Sequence, residues 1–282
     1  MRSPLSHRPL VLIKGAGDLA TGCAVRLSRA GFPVVMTELA APTAVRRTVA
    51  FSEAVLDGVA LVEGVSARRA QSPADARRLA LDGLVAVLVD PGGSAAGRLK
   101  PPVVVDARMA KVNLGTSCGE APIVIGLGPG FRAGSDVDAV IETNRGHNLG
   151  AVLLEGSAEP NTGVPGEVGG YGVERLLRAP ASGRLAARAA IGERVDAGTV
   201  VGEVAGQPVR ARIAGVLRGL LRDGADVREA QKIGDVDPRA RPEHCFTVSD
   251  KARAVAGGVL EAILQLSSRE ATVASRGTRA RR

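Results

Sequence analysis

The sequence predicts an α/β protein: a parallel-sheet domain over residues 9–158, a small β-rich module and C-terminal helix over 159–266, and a basic tail over 267–282. Three observations carry this expectation. In the first half, short wholly aliphatic runs bounded by glycine alternate with helical spacings, the pattern of strands buried on both faces. Beyond Pro160 the pattern changes to short strands and closely spaced glycines. The core must also be aliphatic, since 45% of residues are hydrophobic but only 2% aromatic, with no Trp and one Tyr.

Leu10–Ile13 is the first strand, and Leu19, Cys23, Leu27 and Ala30 lie on one face of the helix that follows. Gly31 closes that helix at the position where a left-handed residue is preferred. Val34–Glu38 is the second strand. Ala44–Val55 is expected to be helical and Val59–Val62 a short strand. Ser72 and Pro73 open another helix that runs to about Leu81, with Pro in the first turn. Val85–Val89 and Val103–Val105 read as strands, each followed by an aspartate (Asp90 and Asp106), and Ile123–Ile125 as the last parallel strand. In the second half an internal repeat stands out between 183–204 and 215–236: Gly183, Gly192, Val195, Gly202 and Val204 match Gly215, Gly224, Val227, Gly234 and Val236 at one offset. Ala252–Leu266 has the spacing of an amphipathic helix. The Ser/Arg/Ala tail after it has no apolar period and reads as disordered.

Composition narrows the function classes. Much of the formal net charge of +8 sits in that tail (Arg269, Arg276, Arg279, Arg281 and Arg282), and aromatic stacking platforms are lacking, so specific nucleic-acid binding is not expected. No apolar run approaches the roughly 18 residues a spanning helix needs. Met1–Pro9 has no long apolar stretch, so the expectation is a cytoplasmic protein away from the membrane. Cys23, Cys118 and Cys245 are odd in number and far apart, which suits reduced thiols, and Cys118 in its Gly-rich segment is reactive only if its pKa is lowered. No zinc-ligand spacing occurs, His244-Cys245 alone cannot build a metal site, and there is no G-x-S-x-G or Walker lysine.

Two stretches are candidate sites. Gly15, Gly17 and Ala20 fit G-x-G-x-x-A between a strand and a helix, which makes the first domain Rossmann-like. Such a turn lets a diphosphate approach the backbone at a helix N-terminus. Glu38 ends the next strand about 20 residues on, where an acid meets a ribose hydroxyl. Asp18 inside the turn departs from the pattern, because a carboxylate there repels phosphate unless it faces away. The second stretch runs from Asp106 through Arg108 and Lys111 to His147. Asp90 and Asp106 stand beyond the carboxyl ends of strands, where open α/β sheets bind ligands. Gly126, Gly128 and Gly130 suggest a nest of N–H groups, an anion cradle. Glu142, Arg145 and His147 are either ligand-facing or paired with one another on a loop. The repeat resembles the barrel-sandwich hybrid of biotinyl and lipoyl domains. Its central hairpin, Val204-Ala-Gly-Gln-Pro-Val209, contains no lysine to carry a prosthetic group, so the module is expected to be structural or to dock a partner.

Four blocks occur in order: Lys14-Gly-Ala-Gly-Asp-Leu-Ala-Thr-Gly22, Asp106-Ala-Arg-Met-Ala-Lys111, Ile125-Gly-Leu-Gly-Pro-Gly-Phe131 and Glu142-Thr-Asn-Arg-Gly-His147. With the β module they resemble the YqeB-like proteins of the selenium-dependent molybdenum hydroxylase system, over about residues 9 to 266. The first domain is also distantly similar to that of the XdhC chaperones. The resemblance implies an accessory role in maturing a molybdenum hydroxylase of the xanthine dehydrogenase type, its client partner. It implies a molybdenum cofactor or another nucleotide-bearing ligand, with phosphates on the Gly15–Gly17 turn or the Gly126–Gly130 nest. Asp106, Arg108, Glu142, Arg145 and His147 would then face the pterin. Two readings compete with it. One is an NAD-dependent oxidoreductase, for which Glu38 is well placed but a proton donor is lacking, Tyr171 standing alone and late. The other is a non-enzymatic scaffold that docks the hydroxylase. Whether catalysis occurs, and whether the chain forms homo-oligomers, stays open at this stage.

Overall fold

The computed structural model describes residues 8–164 and 166–279. Its first half is built on strands β1 (Val11–Lys14), β2 (Val34–Glu38), β3 (Val59–Val62), β4 (Val65–Ala70), β5 (Val85–Val89), β6 (Val103–Asp106), β7 (Ile123–Leu127), β8 (Ala139–Ile141) and β9 (Val152–Leu153). Helices α1 (Asp18–Arg29), α2 (Ala54–Asp57), α3 (Pro73–Leu81) and α4 (Ala95–Leu99) lie among them. The aliphatic runs of β1, β2, β5 and β6 are buried on both faces, as their lack of alternation requires. Ser72 caps α3, its hydroxyl accepting the Asp75 N–H, with Pro73 at the first helical position.

The expected Rossmann-like parallel sheet is corrected: the sheet is mixed, with nine strands in the order β3-β4-β5-β2-β1-β6-β7-β8-β9. Both edges are antiparallel, β3 on β4 and β9 on β8. No α-helix connects β6 to β7 or β7 to β8, only a short 3-10 turn at Cys118–Glu120 and irregular loops. Segment 44–55, expected to be a helix, forms two 3-10 turns (Arg47–Val49 and Phe51–Glu53) leading into α2.

The expected barrel-sandwich-hybrid-like module is also corrected. It consists of two four-stranded antiparallel sheets built from β10 (Leu176–Arg178), β11 (Gly183–Ala187), β12 (Arg194–Val195), β13 (Val200–Val204), β14 (Gln207–Arg210), β15 (Gly215–Leu220), β16 (Asp226–Val227) and β17 (Lys232–Asp237). One sheet has the order β10-β17-β15-β12 and the other β14-β13-β11-β16. The two halves of the internal repeat exchange strands in the same way. β11 pairs with β13 of its own half and β16 of the other, while β15 pairs with β17 and, across the halves, with β12.

Helix α5 (Asp250–Arg279) follows the module in sequence but packs on the large sheet. Val255, Ala256, Val259, Ala262 and Ile263 share one core with Cys23 and Leu27 of α1 and with Ile125, Leu127 and Ile141. The opposite face of the sheet is covered by α3 and α4 through Ala76, Leu79, Ala80 and Leu99. The backbone of α5 continues to Arg279 through much of the stretch expected to be disordered; the side chains of Arg269, Arg276 and Arg279, and Arg281 and Arg282, lie outside the described residues.

Candidate functional site

Two adjoining hollows open where the sheet's carboxyl ends meet α1. The smaller, of about 420 Å³, is lined by Gly15, Gly17, Asp18, Ala20, Glu38, Asp90 and Arg108, among others. The larger, of about 830 Å³, lies between this edge and the β module and includes Lys111 and Arg145. Asp18, Leu19 and Met109 line both, so the two lie side by side along one crevice wall.

The Gly15–Gly17 turn has two glycines with different reasons to be there. Gly15 has φ +95°, and a Cβ on it would stand 3.1 Å from the Ala107 carbonyl oxygen, so the fold itself demands glycine. Gly17 has an ordinary φ of −68°, and a Cβ there would meet nothing within 4 Å. Gly17 is also the residue preceding α1, and no side chain caps that helix end. The leading N–H groups of α1 thus face the smaller hollow over an unobstructed backbone.

Glu38 sits beside the turn, but its carboxylate accepts N–H bonds from Ala16 at 2.9 Å and from Leu39 at 2.7 Å. It therefore braces the turn as well as lining the hollow. Asp18 is turned toward Arg46, 3.4 Å away, which offsets its charge. Asp90 accepts the N–H groups of Ser94 and Ala95 at the start of α4, so its main local task is capping.

Asp106 departs from expectation, for it is buried and lines neither hollow. It accepts the Thr116 hydroxyl at 2.7 Å and takes the Arg108 guanidinium on both oxygens. Burial pushes its pKa up, but the bonds from Arg108 and Thr116 outweigh that and hold it below the usual carboxylate range. Lys14, the neighbour of Asp106 across β1 and β6, donates to Thr116 Oγ1 and Glu120 Oε1, each at 2.7 Å. Lys14, Thr116 and Glu120 form a buried brace under the crevice that residue spacing did not reveal; only the register of two strands brings them together. Lys14 and Arg108 are the members of this group that reach the smaller hollow.

The Gly126–Gly130 segment is a close-packed turn, where an anion nest is expected. The Gly128 N–H is spent on the Ile141 carbonyl at 2.8 Å. A Cβ on Gly126 would strike the Phe131 ring at 2.5 Å, and one on Gly130 would meet the Val112 backbone at 2.8 Å. None of the three lines a hollow. Glu142 is likewise buried and engaged, accepting from the N–H groups of Thr143, Asn144 and Glu159 at 2.7 Å. Arg145 pairs with Asp250 through two bonds of 2.8 and 3.0 Å rather than with Glu142 or His147. His147 is exposed and lines neither hollow.

The cysteines are not activated. Burial raises the Cys23 thiol to about 12. Cys118 is raised by partial burial and by Asp138 and Asp136, which corrects the idea of a reactive thiol there. Among the described residues no group of three or more His, Cys, Asp or Glu is arranged to hold a metal ion. No described helix is long and apolar enough to cross a membrane.

No family model matches the sequence. Solved structures with some similarity include an aspartoacylase family protein from Mesorhizobium loti, with 12% identity, 83% of this chain and 87% of that one covered, and a TM-score of 0.28. Another is the product-bound ectoine utilization protein EutE from Ruegeria pomeroyi, with 13% identity, 83% and 60% covered, and a TM-score of 0.22. Among curated proteins, the uncharacterized protein YqeB of Escherichia coli (strain K12) is 51% identical over 263 residues. The match covers 93% of this chain and 48% of that protein, so the chain spans about half the length of its curated relative. The YqeB-like resemblance thus has the support of a name and of half a sequence's identities: across most of its length, this chain is similar to YqeB.

Proposed function

We propose that the crevice over the Gly15–Gly17 turn holds a phosphate-bearing ligand of nucleotide or molybdopterin type, and that the chain serves as an accessory protein in maturing a molybdenum hydroxylase. One observation carries the first part. Gly17 leaves open space at an uncapped helix N-terminus, at a position where the fold makes no demand for glycine. A missing side chain there favours close approach of an anion to backbone N–H groups. Arg108 supplies a cation at the same hollow, and Glu38 keeps the turn in shape. The second part rests on the resemblance, and the cofactor enters it as cargo.

An NAD-dependent reaction finds less support. Among the described residues lining the smaller hollow there is no His, Cys or Tyr to donate a proton. The test is native mass spectrometry of freshly purified protein, with small molecules released on denaturation identified. A pterin or its nucleotide form is the expected result; recovery of NAD alone would overturn the reading. Gly17→Asp sharpens the test, because aspartate is a good N-cap that fits the open space yet puts a carboxylate where the phosphate would sit. The variant is expected to keep its melting temperature and lose the ligand.

A further inference from the structure

The larger hollow has a chemistry of its own. Eight Arg and Lys side chains and three carboxylates line it among the described residues. Part of that positive charge is already used, since Arg46 faces Asp18 and Arg145 faces Asp250. The remainder is less closely paired, with Asp235 near Lys232 and Asp18, Glu142 and Asp250 near Lys251. Among the described residues, Lys111, Lys232 and Lys251 line the hollow with no carboxylate in direct salt-bridge contact, and Arg178 donates only to the Ala230 carbonyl.

Two further arginines form the inner wall on the module side. Arg175 and Arg218 have side chains only 9% and 7% exposed. Their contacts to Asp235 at 3.6 Å and Asp237 at 3.3 Å are long, and the Nε of each is buried with no hydrogen-bond partner. Burial, then the nearby Arg46, lowers the Arg218 pKa, the mark of cations crowded together out of water. Buried donors that lack acceptors are costly, and a cluster of them around an open volume is stabilised by an anion that brings the missing acceptors. Residues of α1, the start of α5, β10 and β17 line the hollow.

We infer that this hollow is a binding site for a compact polyanion of the pyrophosphate class, either free or as the diphosphate of a larger ester. Its volume of about 830 Å³ suits a small molecule. Guanidinium and ammonium groups on several sides match an anion with charge spread over many oxygens. The site does not depend on the reading of the Gly15–Gly17 turn, although the shared residues Asp18, Leu19 and Met109 would let one extended ligand occupy both hollows.

Isothermal titration calorimetry of the full chain with inorganic pyrophosphate, and separately with ADP, tests this inference. Arg178 and Lys232 are exposed enough for Arg178→Gln and Lys232→Gln to leave folding intact. Both ligands are expected to bind the wild type and to weaken by about tenfold in each variant, the loss of one charge-assisted contact. Gly17→Asp tests the turn separately and should leave pyrophosphate binding unchanged, because Gly17 does not line this hollow. If pyrophosphate does not bind at low salt, or binds both Gln variants as tightly as the wild type, the inference is wrong. A loss of ADP binding in Gly17→Asp alone would leave the turn occupied and reject this site only.

Discussion

A single hydroxyl holds two charges apart under the crevice. Thr116 donates to Asp106 and accepts from Lys14, so a threonine far along the chain completes a network rooted in the ends of β1 and β6. The hydroxyl also accepts from Arg108 Nη2 at 3.1 Å, so Thr116→Val keeps the shape and removes all three bonds; urea unfolding is expected to register a loss of about 1–3 kcal/mol. The same network fixes a pH response. The folded pKa of Asp106 is depressed, so its contribution to stability is present above the unfolded value of about 3.9 and is lost as pH falls through the folded value. Acid titration of the melting temperature should show a decline below about pH 4 that Asp106→Asn makes shallower. Cys23 gives a sharper readout. With its thiol at about 12, it is expected to resist iodoacetamide at pH 8 in the native protein and to react once unfolded, as peptide mass spectrometry would record. Gly15, Gly17, Asp18, Ala20 and Glu38 of the first candidate stretch line the smaller hollow, and Asp90 and Arg108 of the second join them there. Sequence spacing misplaced Asp106 and Glu142, because a strand-end acid looks the same whether it faces a ligand or a buried arginine or backbone.

At the level of elements, what a strand or helix buries on its own was legible, and what it buries against was not. β1, β2, β5, β6 and β7 announced themselves as aliphatic runs, and α3 by its cap. β8 and β9, three and two residues long, carry too little pattern to be told from loop, so the antiparallel edge and the mixed order stayed hidden. The repeat at a fixed offset foretold two equivalent halves, yet their exchange of β12 and β16 follows only from which edges lie free after each half forms. The amphipathic period of α5 indicated one buried face without naming its partner. That partner demands very small residues: a Cβ on Gly22 of α1 would stand 2.8 Å from the Ala252 Cβ, and one on Gly258 would stand 2.9 Å from the Ile141 Cγ2. Gly258→Val is therefore expected to force α5 off the sheet at a cost of about 1–3 kcal/mol or more, visible as a lowered melting temperature.

The whole molecule is stitched by contacts that ignore sequence order. Arg222 of the module reaches Asp57 at 2.6 and 2.9 Å, Arg47 donates to the Leu220 carbonyl at 2.8 Å, and Thr48 donates to that of Cys245. With α5 returning across the large sheet as well, both halves should melt in one calorimetric transition, and two resolved peaks would contradict this interlocking. The return of α5 also sets an order of events during synthesis. Cys23, Leu27 and Ile141 belong to a core whose last wall, Val255 to Ile263, leaves the ribosome only after the entire β module has been made. The first half must wait, with that greasy face open, for some hundred residues of later chain. A fragment ending at residue 158 inherits the same wound permanently, which makes chaperone capture or aggregation its expected fate, while the complete chain closes it from within.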